Sequence, residues 1–135
     1  MQAWLAPYAP TLFAMLATAA LLLVQLVVLD LASIKAKHVP GAPVQTDHAS
    51  FLFRATRTHA NTNESVATFV LLAVIAIFSS ASPMWANAFA WLYVAGRLGH
   101  MFCYYADLRI ARSISFAVSL IALFSLLIVT FAALL

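Results

Sequence analysis

From Tyr8 to Leu29 the chain carries no charged side chain, and Gln25 is the only strongly polar one. A run of this kind matches the roughly 20 apolar residues that an α-helix needs to cross bilayer hydrocarbon. Ser113 to Leu135 repeats the pattern without a single charge. The stretches between them are shorter and more polar, but composition treats the chain as one class: 65% of its 135 residues are hydrophobic and 8% charged. Soluble domains do not have that balance. The length fits one domain, residues 1–135, with roughly four membrane-crossing helices.

Punctuation along the chain places those helices. The first span is expected over 8–29, and Asp30, Lys35 and Lys37 mark an aqueous boundary. Val39-Pro40-Gly41-Ala42-Pro43 breaks helix and reads as a loop, after which Thr46 or Asp47 suits a helix cap. A long second helix is expected from about His48 to Ser80. Its amphipathic part, 48–61, forms a cytoplasmic extension and its span covers 62–81. Ser79-Ser80-Ala81-Ser82-Pro83 is a tight uncharged turn. The third span is expected over 84–105 and, after the polar link Asp107–Arg112, the fourth over 113–135. The expected fold is therefore an all-α integral membrane protein whose protomer is a bundle of four transmembrane helices.

Every lysine and arginine falls in or beside the loops after the first and third spans. By the positive-inside rule those loops face the cytoplasm and both termini lie on the non-cytoplasmic side. The formal charge of +3 thus reflects orientation, and the lack of a basic run argues against nucleic acid as a partner. The N-terminal Met1-Gln2-Ala3-Trp4 lacks a positive n-region and a small-residue cleavage site, so the first apolar run is expected to be retained. Cys103, the sole cysteine, excludes an intramolecular disulfide and reads as a reduced, buried thiol. No spacing of His, Cys or carboxylates suggests a metal site. His38 and His48 read as ordinary loop histidines, and His59 as a packing or headgroup-facing residue.

Two helical stretches keep ionisable residues at membrane depth, where charge is costly and is retained chiefly where it pairs or functions. At 100° per residue Arg57, Asn61 and Glu64 share one face, with Arg54 at its margin; Arg97, His100 and Tyr104 share another, with Asp107 near it. Glu64 lies about 18 residues before Ser82 and His100 about 18 after it, so the two stripes stand level at 1.5 Å per residue. A Glu64–Arg97 contact is expected, within one chain or across a subunit boundary, because an unpaired buried charge is expensive. One reading is that these charges only hold the bundle in register. The other is a polar ligand site: arginines for a carboxylate, an amide and an acid for an amine or peptide, a tyrosine as hydroxyl donor. Ser113 beside Arg112 adds a place to hold an anion near the start of the fourth helix.

The stretch Arg54-Ala-Thr-Arg57-Thr-His59-Ala-Asn61-Thr-Asn63-Glu64 resembles the R-x-x-R-x-H-x-N-x-x-E signature of the MAPEG family (membrane-associated proteins in eicosanoid and glutathione metabolism). Gly96-Arg97-x-x-His100-x-x-x-Tyr104, then Leu108-Arg109 and Arg112-Ser113, is similar to that family's third-helix pattern, most of all in its bacterial branch. The resemblance implies a homotrimer in the bacterial inner membrane, with glutathione bound between subunits at the cytoplasmic edge. It implies a transferase or peroxidase acting on lipophilic electrophiles that arrive through membrane lipid. Carried over by position, the cofactor-binding residues are Asn61, Glu64, His100, Tyr104 and Ser113. Arg112 is the catalytic cation, while Arg57 and Arg97 are structural or supporting. The chain departs from the pattern at Ala60, where several members have a basic residue, and at Phe116, where some have tyrosine. The link before Arg112 is a residue short, and Lys35 or Lys37 stands nearest to the basic residue of the family's first helix. The alternative implied function is a protein of this fold without glutathione catalysis, either lipid-binding or an accessory subunit. A small proton-coupled transporter is a third reading, weakened because Glu64 is the only glutamate and has an arginine at its level.

Overall fold

The computed structural model describes residues 2–135; Met1 lies outside them. Four helices follow one another: α1 (Ala9–Lys35), α2 (Phe51–Phe78), α3 (Pro83–Tyr105) and α4 (Arg109–Ala132), with a 3-10 turn, Ala6–Tyr8, leading into α1. There is no strand among the described residues. The helices run up, down, up and down, so α1 and α3 are parallel to each other and antiparallel to α2 and α4.

Helix starts follow local chemistry. α1 and α3 open on proline in the first turn, where its missing N–H is one that the helix leaves unpaired anyway. Asp47 does not cap α2: its Oδ1 accepts from the Ala49 N–H, and the capping position belongs to Ser50, three residues beyond Asp47. α1 continues to Lys35, past the expected boundary at Leu29, because nothing between Asp30 and Lys35 breaks helix. α4 begins at Arg109, a turn before the expected span.

All three helix ends that lead into connections close in the same way. Lys37, Ser80 and Asp107 adopt left-handed backbone with φ of 51°, 54° and 56°. The next residue's N–H reaches back five positions, from His38 to Ser33, Ala81 to Ala76 and Leu108 to Cys103. Such reversals usually recruit glycine, and this chain uses none of its glycines there.

Three helical stretches are long and apolar enough to cross a membrane: Ala6–Lys35, Phe51–Phe78 and Arg109–Ala132. Four spans were expected; α3 falls short by composition, because Asn87, Arg97 and His100 lie along it. Arg97 and His100 are buried in the bundle, while Trp85, Trp91, Leu92 and Phe102 face outward.

The core is built on small residues. Ala14, Phe69, Ala73, Ala76, Ala86, Ala90, Tyr93 and Ala122 are fully buried. α3 packs most extensively against α4. A Cβ on Gly96 would stand 2.7 Å from the Ser119 nitrogen and 3.0 Å from the Ser115 carbonyl oxygen, and one on Gly99 would stand 2.9 Å from the Ser115 hydroxyl. Lipid tails are as apolar as leucine, so helices in a bilayer associate through close packing of this sort. At the far end of the bundle Asn87 ties α3 to α1. Its Oδ1 accepts from the Thr11 N–H and hydroxyl, its Nδ2 donates to the Pro7 carbonyl, and the Tyr8 hydroxyl donates to the Ala81 carbonyl.

Candidate functional site

The α1–α2 and α3–α4 connections lie at one end of the bundle, and six of the seven lysines and arginines gather there. The seventh, Arg97, sits about two turns before α3 ends. Register between α2 and α3 is fixed by two polar contacts a turn apart. The Ser65 and Tyr93 hydroxyls share a hydrogen bond of 2.8 Å. Arg97 Nη1 donates to the Asn61 Oδ1 at 2.6 Å and to the Asn61 carbonyl at 3.3 Å.

Arg97 is only 1% exposed, yet it has no carboxylate partner. The expected Glu64–Arg97 contact does not form within the chain. Glu64 is exposed on the protomer surface, and among the described residues the one ion pair joins Arg109 to Asp107 at 3.9 Å. Aromatic faces take the place of the acid: the guanidinium carbon lies 5.4 Å from the Tyr93 ring centre and 5.3 Å from that of Phe116. A buried cation gains from desolvated π faces as well as from an amide acceptor. The helical arithmetic placed the stripes level to within a turn, but the partner at that level is Asn61, three residues earlier than Glu64.

Above this pair opens a crevice of about 280 Å³ lined by Arg57, Asn61, His100, Tyr104, Arg112, Ser113 and Phe116. α2 contributes the first two, α3 the next two and α4 the rest. Of the residues expected at a ligand site, Asn61, His100, Tyr104, Arg112 and Ser113 meet here and Glu64 does not. Arg57, expected to be structural, is exposed and lines the crevice. Phe116, met in the sequence as a departure from a pattern, both walls the crevice and covers Arg97.

The interior of the crevice is ordered by stacking. Arg112 lies over the Tyr104 ring with its guanidinium carbon 4.3 Å from the centroid. His100 presents an edge-on contact to Tyr104, with centroids 5.3 Å apart, and its Nδ1 is buried without a protein partner. Asn61 spends its amide oxygen on Arg97, so its Nδ2 is the group left to donate. Ser113 sits in the second turn of α4, not at its start, and its hydroxyl donates to the Arg109 carbonyl at 3.1 Å. Cationic and donor groups therefore converge on a crevice whose lining contains no carboxylate, an arrangement suited to an anion. No cluster of His, Cys, Asp or Glu able to hold a metal occurs among the described residues. Cys103 is half-buried and outside the lining.

Apolar helices packed in one bundle, with a cationic crevice at one end, define an integral membrane protein of the small helical-bundle class. The chain belongs to the MAPEG family, whose family model matches residues 11–132. No curated protein matches it significantly.

Proposed function

We propose that the crevice binds an anionic thiol, glutathione or a relative, and activates it as a thiolate for transfer to lipophilic electrophiles or for peroxide reduction. The observation that carries this reading is the pairing of Arg57 and Arg112, two guanidiniums without carboxylate partners, with the donors Asn61 and Ser113 in one carboxylate-free crevice. Glutathione bears two carboxylates and a thiol, and a cation beside a thiol lowers its pKa and raises the reactive fraction. In this reading Arg112, held over the Tyr104 ring, stabilises the thiolate, Arg57 takes a carboxylate, and the Asn61 Nδ2 and Ser113 hydroxyl orient the peptide. His100 and Tyr104 form the wall against which it packs.

One protomer supplies only part of such a site. Its crevice lies just under the roughly 300 Å³ at which ligand pockets begin. Glu64, a carboxylate exposed on a helix long and apolar enough to span, needs cover other than lipid. A homotrimer supplies both: Glu64 of one subunit reaches the site or a basic residue of the next, and the crevice closes between subunits. In the same reading α3 is the fourth span, since its 23 residues rise about 34 Å, and the cationic end faces the cytoplasm of a bacterial inner membrane with both termini opposite.

Purified protein in nanodiscs tests the reading. Saturable glutathione binding by calorimetry and conjugation of a generic electrophile are expected, with Arg112→Ala abolishing turnover while the oligomer survives on size exclusion. Turnover retained in Arg112→Ala removes the thiolate role. Phe116 favours a second reading, a lipid-binding or accessory protein without glutathione catalysis, because it gives the crevice an apolar wall. That reading gains if no thiol at millimolar concentration raises the melting temperature.

A further inference from the structure

His48 lies in the α1–α2 connection, three residues before α2 begins. Nothing in its sequence surroundings marks it. In the fold it is half-buried, and its ring stacks on Tyr104 with centroids 6.3 Å apart and planes 21° apart. Its other flank meets Phe53 edge-on at 5.1 Å. The backbone beneath it is fastened. Arg54 Nη1 donates to the His48 carbonyl at 2.6 Å and to the Ala49 carbonyl at 2.9 Å, while Asp47 closes the turn through the Ala49 and Ser50 N–H groups.

Tyr104 is thereby flanked by two imidazole rings. His48 packs on it from the loop and His100 from its own helix, and its face carries the Arg112 guanidinium at 4.3 Å. Aromatic pairs at these separations favour one ring position over its neighbours. We propose that His48 is a positioning residue that backs Tyr104 and so holds Arg112 in the crevice. It does not line the crevice itself and touches no reacting atom. The role deepens the function proposed above and rests on it only for its catalytic consequence; the positioning is a property of the protein alone.

The two parts are tested separately. Intact protein in nanodiscs is treated with phenylglyoxal, an arginine-directed dicarbonyl, and modification is followed at each arginine by peptide mass spectrometry. In His48→Ala the rate at Arg112 is expected to rise about two- to tenfold, the range that loss of one aromatic pair allows, with Arg109 unchanged. His48→Phe keeps the ring face and the wild-type rate, and Arg54→Ala, which frees the loop, reproduces the rise. If His48→Ala fails to fold, His48→Leu, which keeps bulk without a ring, takes its place with the same expected rise. An unchanged Arg112 rate in the folded variant overturns the proposal. Glutathione turnover forms the second arm: His48→Ala lowers kcat more than it changes KM, and His48→Phe restores it. If wild-type protein binds no glutathione while Arg112 labelling responds to His48, the thiol function falls and the positioning stands. If glutathione binds and labelling does not respond, the positioning alone falls.

Discussion

Arg97 shows how a buried cation is kept without an acid. Its hydrogen bond to Asn61 is charge-assisted, and two aromatic faces cover the rest. Removing the acceptor leaves the guanidinium buried and short of a partner, so Asn61→Ala is expected to destabilise the fold by about 1.5–3 kcal/mol, read as a shift in SDS-induced unfolding. Asn61→Asp offers the same oxygen with a charge and is expected to hold the fold while weakening anion binding, by calorimetry. At this scale the sequence was partly legible. Helical spacing put Arg57 with Asn61 and His100 with Tyr104, position near the start of the fourth helix marked Arg112 and Ser113 as a place for an anion, and the resemblance joined them to the rest; all six line one crevice. What spacing could not show was choice of partner. Glu64 lies within a turn of the right level but faces outward, and a period of 3.6 does not say which neighbour a side chain finds. His48, read as an ordinary loop histidine, stacks on Tyr104 instead, and loop contacts have no period that could have shown it.

At the scale of the helices, two features are open to test. Gly96 approaches backbone atoms of Ser115 and Ser119, whereas Gly99 approaches a hydroxyl that is able to rotate. Gly96→Ala should therefore force α3 from α4 and cost about 1–3 kcal/mol, the range for overpacked cores, and Gly99→Ala should cost clearly less, with detergent unfolding giving the order. Ser80 holds a left-handed conformation that strains a residue with a side chain. Ser80→Gly is expected to stabilise by up to about 1 kcal/mol, the strain relieved less the greater freedom of glycine in the unfolded chain. A fall in melting temperature would contradict this. Helix existence and order were readable from apolar runs and prolines. The ends were less so: α1 keeps Asp30 and Lys35 within the helix, because charged residues tolerate the last turns near water. The Asn87 tie to Pro7 and Thr11 was invisible in sequence, since it joins segments far apart along the chain.

For the whole molecule, the distribution of charge is the main fact. One end carries nearly every cation and the other is held by neutral hydrogen bonds. Oligomerisation belongs to this scale. Glu64 is an exposed acid midway along a helix long and apolar enough to cross a membrane, and in the trimer reading it is covered by the next subunit. Glu64→Ala is then expected to shift the assembly toward smaller species in native mass spectrometry, while each protomer keeps its helical circular dichroism. An unchanged assembly would argue that Glu64 meets lipid headgroups instead.

The close approach of α3 and α4 at Gly96 and Gly99 has a mechanical corollary. With backbones nearly touching, these two helices form a single stiff stave that carries Tyr104, Arg112 and Phe116 as one body. The crevice has a third wall in α2, which is tied to that body beside the crevice by the Arg97 guanidinium on the Asn61 side chain and carbonyl. An outward tilt of α2 that widened the crevice would pull on the Asn61–Arg97 bond. On the α2 side, the width of the crevice and the strength of that one hydrogen bond are thus coupled.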